Sequence, residues 1–134
     1  MPDNDTALAA LRKDRLIDIT TTGRKTGQPR RIEIGFFIQG GKLYLTGRPG
    51  RRGWYANIIA GQGFTLHLKQ SARLDLAATA TPVRDPAARR RILTEYHKVL
   101  PRFASRGNLE DWITGSPLVE VTIPGVTNEL GDQP

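Results

Sequence analysis

The chain has 134 residues, 38% of them apolar and 25% charged, which is the size and balance of one globular domain able to bury its own core. It contains no cysteine, so disulfides, thiolate nucleophiles and cysteine metal sites are excluded, and a reducing cytoplasm is the expected compartment. The formal charge of +7 is not spread evenly. Between Gly23 and Asn57 stand eight basic residues, Arg24, Lys25, Arg30, Arg31, Lys42, Arg48, Arg51 and Arg52, against the single acid Glu33, while twelve basic and twelve acidic residues elsewhere cancel. Such a focus of one sign concentrates anions.

Residues 1–14 read as an N-terminal helical segment, with a helix from Thr6 to Lys13 capped by Asp5 or Thr6. Its apolar run, Ala7 to Leu11, is too short for a signal-peptide core, and no run approaches the about 20 apolar residues of a membrane span. Arg15 to Thr22 is β-branched and reads as a strand. Gly23 to Gln28 is a loop, closed by Pro29. Arg31 to Ile38 forms a second strand with Ile32, Ile34, Phe36 and Ile38 on one face. Gln39-Gly-Gly-Lys42 is a tight hairpin turn, because paired glycines accept positive φ. Leu43 to Thr46 is a third strand, and Gly47 to Gly53 is a flexible basic loop.

Trp54 to Ala60 reads as a short helix, followed by strands over Phe64 to Lys69 and Arg73 to Val83. Asp85-Pro86 starts a long helix as N-cap and first-turn proline. Ala88, Ile92, Tyr96 and Val99 form its stripe, and Pro101 ends it. Arg89, Arg90 and Arg91 point in several directions and read as solvated. Leu109 to Ile113 adds a short helix, Leu118 to Ile123 a last strand, and residues 127–134 a polar tail. The expected fold is one α+β domain over residues 1–134. About six mostly antiparallel strands close into a barrel, because closure removes exposed edges.

Few residues offer covalent or metal chemistry. The two histidines, His67 and His97, stand in no chelating pattern and read as structural. The serines occur in no nucleophile-elbow or Ser-x-x-Lys pattern. Asp18 and Asp75 lie in separate strands that nothing in the sequence links. Tyr44, Tyr55 and Tyr96 are proton-donor candidates that nothing ranks. If the chain is an enzyme, its reactive centre is expected to be borrowed from a cofactor.

Two loops have the parts of an anion site. In the first, Thr22, Arg24, Lys25, Thr26, Gly27 and Arg30 combine glycine-permitted backbone turns, hydroxyls and charge, without the spacing of a P-loop. In the second, Gly47, Arg48, Pro49, Gly50, Arg51 and Arg52 run into the N-terminus of a helix, where free N–H groups and the dipole favour anions. Trp54, just beyond, either packs a planar ring or anchors its helix.

Ile19-Thr-Thr-Thr-Gly23-Arg-Lys-Thr-Gly27-Gln-Pro-Arg30, a hairpin, and then Trp54-Tyr-Ala-Asn57-Ile-Ile-Ala60 resemble the deazaflavin-dependent nitroreductase and quinone reductase family over about residues 16–70. The resemblance implies a split β-barrel of the flavin-mononucleotide-binding type. It implies coenzyme F-420, a deazaflavin with a phosphate and an acidic tail, held by Arg24, Lys25 and Thr26, with the second loop, Trp54 and Asn57 at its border. It implies hydride transfer to a quinone, nitro compound or other electron-poor small molecule, in a barrel of a kind that often forms homodimers. The second loop departs from the family. Gly47-Arg-Pro-Gly50 stands in place of Ser-Lys-Gly-Gly, and Gly53 in place of a proline. Flavin mononucleotide (FMN), haem or a tetrapyrrole in the same barrel, with or without turnover, is the alternative. A basic nucleic-acid-binding module is a further one, disfavoured because no RNA-type aromatic strand motif is present.

Overall fold

The structure is a computed structural model and describes residues 2–61, 63–99 and 108–132. Along the chain run α1 (Pro2–Lys13), β1 (Leu16–Thr22), β2 (Pro29–Gln39), β3 (Lys42–Thr46), α2 (Gly53–Gly61), β4 (Gly63–Leu68), β5 (Leu74–Pro82), α3 (Pro86–Val99), α4 (Leu109–Gly115) and β6 (Leu118–Thr122), then a 3-10 helix over Thr127–Asp132. The strands form a closed barrel in the order β1-β2-β3-β6-β5-β4, every neighbouring pair antiparallel. The expected α+β barrel is therefore present.

Period-two alternation decides which side chains fill it. Ile17 and Ile19 of β1, Leu66 and Leu68 of β4 and Val119 and Val121 of β6 point inward and are buried. Ala7, Ala10 and Leu11 of α1, with Trp54 and Ile58 of α2, join the same core. A second cluster lies outside the wall. There α3 and α4 bring Ile92, Leu93, Trp112 and Ile113 onto Tyr44 and Leu118. Phe37 stacks on its register partner Tyr44 with ring centroids 5.3 Å apart. β3 is consequently buried on both faces.

Three expectations change. α1 begins at Pro2 rather than Thr6, since proline is tolerated in a first turn. The polar tail is ordered over Thr127–Asp132, because fully buried Leu130 anchors it in the core and Arg12 donates to the Glu129 carbonyl at 3.0 Å. Arg89 is engaged rather than solvated, while Arg90 stays exposed as expected. Arg89 donates to the carbonyls of Val83, Trp112, Ile113 and Ser116, and Arg90 pairs with Glu110. α3 starts where expected, the Asp85 carboxylate accepting from the Ala88 N–H at 2.9 Å. Pro101, expected to end it, lies outside the described residues.

Gly40 and Gly41 have φ of 58° and 75°, the two positive values of a type I′ hairpin turn. Their surroundings differ. A Cβ on Gly40 meets nothing within 4 Å, whereas one on Gly41 would sit 2.8 Å from the Gly131 Cα. Gly40→Ala should cost about 1 kcal/mol, the strain of the left-handed region alone. Gly41→Ala should cost roughly 1–3 kcal/mol more, through overlap with the 3-10 helix. Denaturant unfolding of the two variants checks this, and equal losses would contradict it.

His97 is buried against the Trp112 ring, centroids 4.9 Å apart, and its Nε2 has no partner among the described residues. Burial pushes its pKa down. An unfolded histidine takes its proton near pH 6.5. Stability from a neutral His97 is therefore complete above that pH and is lost as the pH falls below it. The thermal midpoint should drop between pH 7 and 5, and drop less in His97→Phe. Equal slopes in the two proteins would refute it.

Candidate functional site

A cavity of about 510 Å³ opens where β1 ends and β2 begins, under the N-terminal half of α2. Its lining comprises Thr21, Gly23, Arg24, Lys25, Thr26, Arg30 and Ile32 from β1, the first loop and β2, with Gly53, Trp54 and Asn57 from α2. Register puts them together. Thr21 pairs with Arg30 across β1 and β2, and Ile32 follows Arg30 on the same face. Buried Trp54 and half-exposed Ile32 supply apolar wall. Arg24, Lys25 and Arg30 supply three cations, and the lining holds no acid.

The first loop is folded on itself. The Gly23 N–H donates to the Gln28 carbonyl and the Gly27 N–H to the Gly23 carbonyl, both at 2.8 Å, with Gly27 at φ 72°. A Cβ on Gly23 would lie 2.6 Å from the Thr26 hydroxyl. Asn57 fastens the loop to α2: its Oδ1 accepts from the Arg24 N–H at 3.1 Å, and its Nδ2 donates to the Thr21 hydroxyl at 3.0 Å. Both cations beside Arg24 N–H are thus carried on a backbone whose position a side-chain amide sets.

Of the fourteen residues expected at the site, Arg24, Lys25, Thr26, Arg30, Trp54 and Asn57 line this cavity. Thr21, Gly23, Ile32 and Gly53 join them; the inward parity of Thr21 and Ile32 in their strands was the available signal. Thr22 is exposed on the opposite face of β1, and Gly27 lies at the outer bend of the loop. The second loop turns elsewhere. A Cβ on Gly47 would lie 3.6 Å from Pro117 and one on Gly115 3.5 Å from Pro49, and the Gly50 N–H donates to the Gly115 carbonyl at 3.1 Å. Arg48 is exposed, and Arg52 donates to the Arg51 carbonyl. Gly50 and Arg51 line a different groove, on the far side of α2.

The remaining candidates are also placed. Tyr44 and Tyr96 belong to the second cluster, where burial raises both phenol pKa values, and Tyr55 lines the second groove. His67 is structural in its contacts: Thr20 and Asp75 lie 2.7 Å from its two ring nitrogens. Asp75 is held below the usual carboxylate range by that hydrogen bond, then by the His67 charge. Asp18 is not linked to Asp75 directly, but His67 is the register partner of both. No group of three or more His, Asp or Glu able to hold a metal occurs among the described residues, and no helix there is long and apolar enough to cross a membrane.

Residues 5–111 match the sequence profile of the F420H(2)-dependent quinone reductase family. The chain belongs to that family. No protein of curated function matches the sequence. Among solved structures, a candidate pyridoxamine 5′-phosphate oxidase from Listeria innocua superposes with a TM-score of 0.66 at 14% identity, covering 90% of this chain and 93% of its own. The haem-storage protein HutZ of Vibrio cholerae gives 0.64 at 11% identity, covering 89% and 88%. A FAD-binding protein of Mesorhizobium loti gives 0.60 at 15% identity, covering 86% and 85%. These likenesses establish a shared fold.

Asn57→Ala removes two hydrogen bonds worth about 1 kcal/mol each. Trp54 and Ile58 still anchor α2, so the fold should persist with its thermal midpoint lowered by several degrees. The loop should also loosen. Hydrogen exchange at the Arg24 amide should accelerate at least about tenfold, the factor that 1.4 kcal/mol corresponds to. Unchanged exchange would show that Asn57 does not hold the loop.

Proposed function

We propose that the cavity beneath the first loop holds coenzyme F-420 and that the protein is an oxidoreductase reducing a quinone, nitro compound or other electron-poor small molecule. The observation that carries the reading is the lining itself: apolar surface from Ile32 and Trp54 beside Arg24, Lys25 and Arg30, with no acid. A flat, largely apolar ring bearing an anionic chain needs this combination. Its volume is within the usual range for a small-molecule site. Family membership supports the same cofactor.

In this reading Arg24, Lys25 and Arg30 hold the anionic part, the two arginines through forked donors. The first-loop backbone, fixed by Asn57, keeps those cations in place. Trp54 and Ile32 bound the ring and exclude water from one side of it. When bound, the cofactor supplies hydride. The chain's part is to hold two planar molecules at reacting distance. Thr21 and Thr26 are the hydroxyls that line the cavity, and Lys25 is the one side chain there besides the arginines that carries a titratable proton among the described residues.

The outward turn of the second loop favours a second reading, FMN in the same cavity, since a phosphate there would rely on the first loop alone. Haem is less well supported, because the lining offers no His, Cys, Met or Tyr as axial ligand.

Fluorescence titration with oxidised and reduced coenzyme tests the proposal. Binding at micromolar concentration is expected. Arg24→Ala should weaken it about tenfold or more, the loss of one charge-assisted contact. Arg48→Ala, with its side chain outside the cavity, should leave it within about twofold. Absence of binding would overturn the reading. A yellow protein from a host lacking the deazaflavin would replace it with FMN.

A further inference from the structure

A second, larger cavity of about 880 Å³ lies between the β3–α2 loop, the first turn of α3 and the end of α4. Four arginines line it, Arg51, Arg84, Arg89 and Arg90, and no acid does. Their charges are not equally free. Arg90 is neutralised by Glu110, with contacts of 2.7 and 3.1 Å. Arg89 is half-buried, and its donors reach four main-chain carbonyls at 2.6 to 3.1 Å and the Ser116 hydroxyl at 3.3 Å. No carboxylate touches it, and burial lowers its pKa. The carbonyls of so short a helix as α4 offset only part of a full charge. Arg51 and Arg84 make no ion pair and no side-chain hydrogen bond among the described residues. Asp85, beside Arg84, has its carboxylate turned to the α3 cap.

Arg51 and Arg84 are exposed and Arg89 is half-buried, and four cations around one concavity with no acid in its lining concentrate positive potential there. Tyr55, Ile113 and Pro117 add apolar wall to the same concavity. We propose that this groove is a second anion site, taking the phosphate or carboxylate groups of an organic polyanion whose apolar part rests on Tyr55 and Ile113. Arg51 and Arg84 make the direct contacts, and Arg89 forms a positive floor. The groove is separate from the cavity assigned to the cofactor. Adjacent residues of α2 divide the two, Trp54 facing one and Tyr55 the other, their rings 6.0 Å apart and perpendicular. The bound groups have two possible sources with one chemistry: the acidic tail of a cofactor seated on the other side of α2, or an independent anionic ligand.

The test is amide NMR on the whole ¹⁵N-labelled chain at low salt, with inorganic tripolyphosphate and triglutamate as probes. Gly50, Ala87, Thr114 and Gly115 report the groove, and Thr21, Gly23 and Asn57 report the first cavity. Saturable shifts of the groove signals are expected. Arg51→Gln with Arg84→Gln should raise the Kd about tenfold or more, with the fold unchanged because neither side chain holds another element. Titration with whole coenzyme F-420 and with its riboside, which lacks phosphate and tail, separates the sources. Groove shifts with the coenzyme alone identify its tail, and groove shifts with tripolyphosphate or triglutamate but not with the coenzyme identify an independent ligand. Groove signals unmoved by every probe, shifts confined to the first cavity, or a double variant that binds as well as the native protein would overturn the proposal. If the coenzyme binds nowhere, the polyanion arm still decides it.

Discussion

β1 is hydrogen-bonded along both edges, to β2 through seven register pairs and to β4 through four, and this double pairing closes the barrel. It also leaves the strand no freedom of register. A slip of one residue would bury Asp18 and Thr20 and expose Ile17 and Ile19, both fully buried now. The outer face reinforces the closure. Glu33, Asp18, His67 and Asp75 stand in one row across β2, β1, β4 and β5. Two carboxylates directly opposite would repel, but Lys69 pairs with both Asp18 and Glu33, and Arg31 adds a contact to Asp18 at 3.0 Å. The Lys69 hydrogen bond is the main reason the Asp18 carboxyl lies below its usual range. With β1 fixed in this way, the loop at its end stands at the mouth of the first cavity, where Asn57 ties it to α2.

What the sequence made readable was local. The inward residues of β1 and β4 show as period-two alternation, the Gly40-Gly41 turn as a pair of residues that accept positive φ, and the start of α3 as Asp85-Pro86. Each depends on near neighbours. What it concealed depends on distant ones. Leu130 is a single apolar residue in a polar stretch, and only the space beside β3 and Gly41 makes it a core residue. Arg89 reads as one of three solvated arginines until α4 presents its last carbonyls to it. His67 and Asp75 are eight residues apart and become partners only because β4 and β5 pair.

The same division runs through the site. Arg24, Lys25, Thr26 and Arg30 belong to one hairpin loop, so their proximity follows from sequence spacing. Asn57 was legible as part of a pattern but not in its role, since its hydrogen bonds to Thr21 and Arg24 span 36 and 33 residues. The second loop is placed apart from the first for a physical reason. Its arginines are close to the first loop in sequence, yet the contacts of Gly47, Pro49 and Gly50 with the α4–β6 segment draw it to the other side of α2. Gly50 makes that path possible at φ 119°, a conformation a side chain would resist.

Of the basic residues in the Gly23 to Asn57 stretch, Arg24, Lys25 and Arg30 line the first cavity and Arg51 the second, whose other arginines, Arg84, Arg89 and Arg90, come from outside it. At physiological salt the screening length is about 8 Å, so cations on opposite sides of one helix, about 10 Å across, are largely screened from one another, and in the proposed reading each cavity would hold an anion by its own set. Selection between the cavities then falls to their walls, a tryptophan and an isoleucine on one side of α2 and a tyrosine with proline and isoleucine on the other. In the proposed reading, charge would draw anions to this end of the barrel, and the alternation of Trp54 and Tyr55 around a helix turn would set which wall each meets.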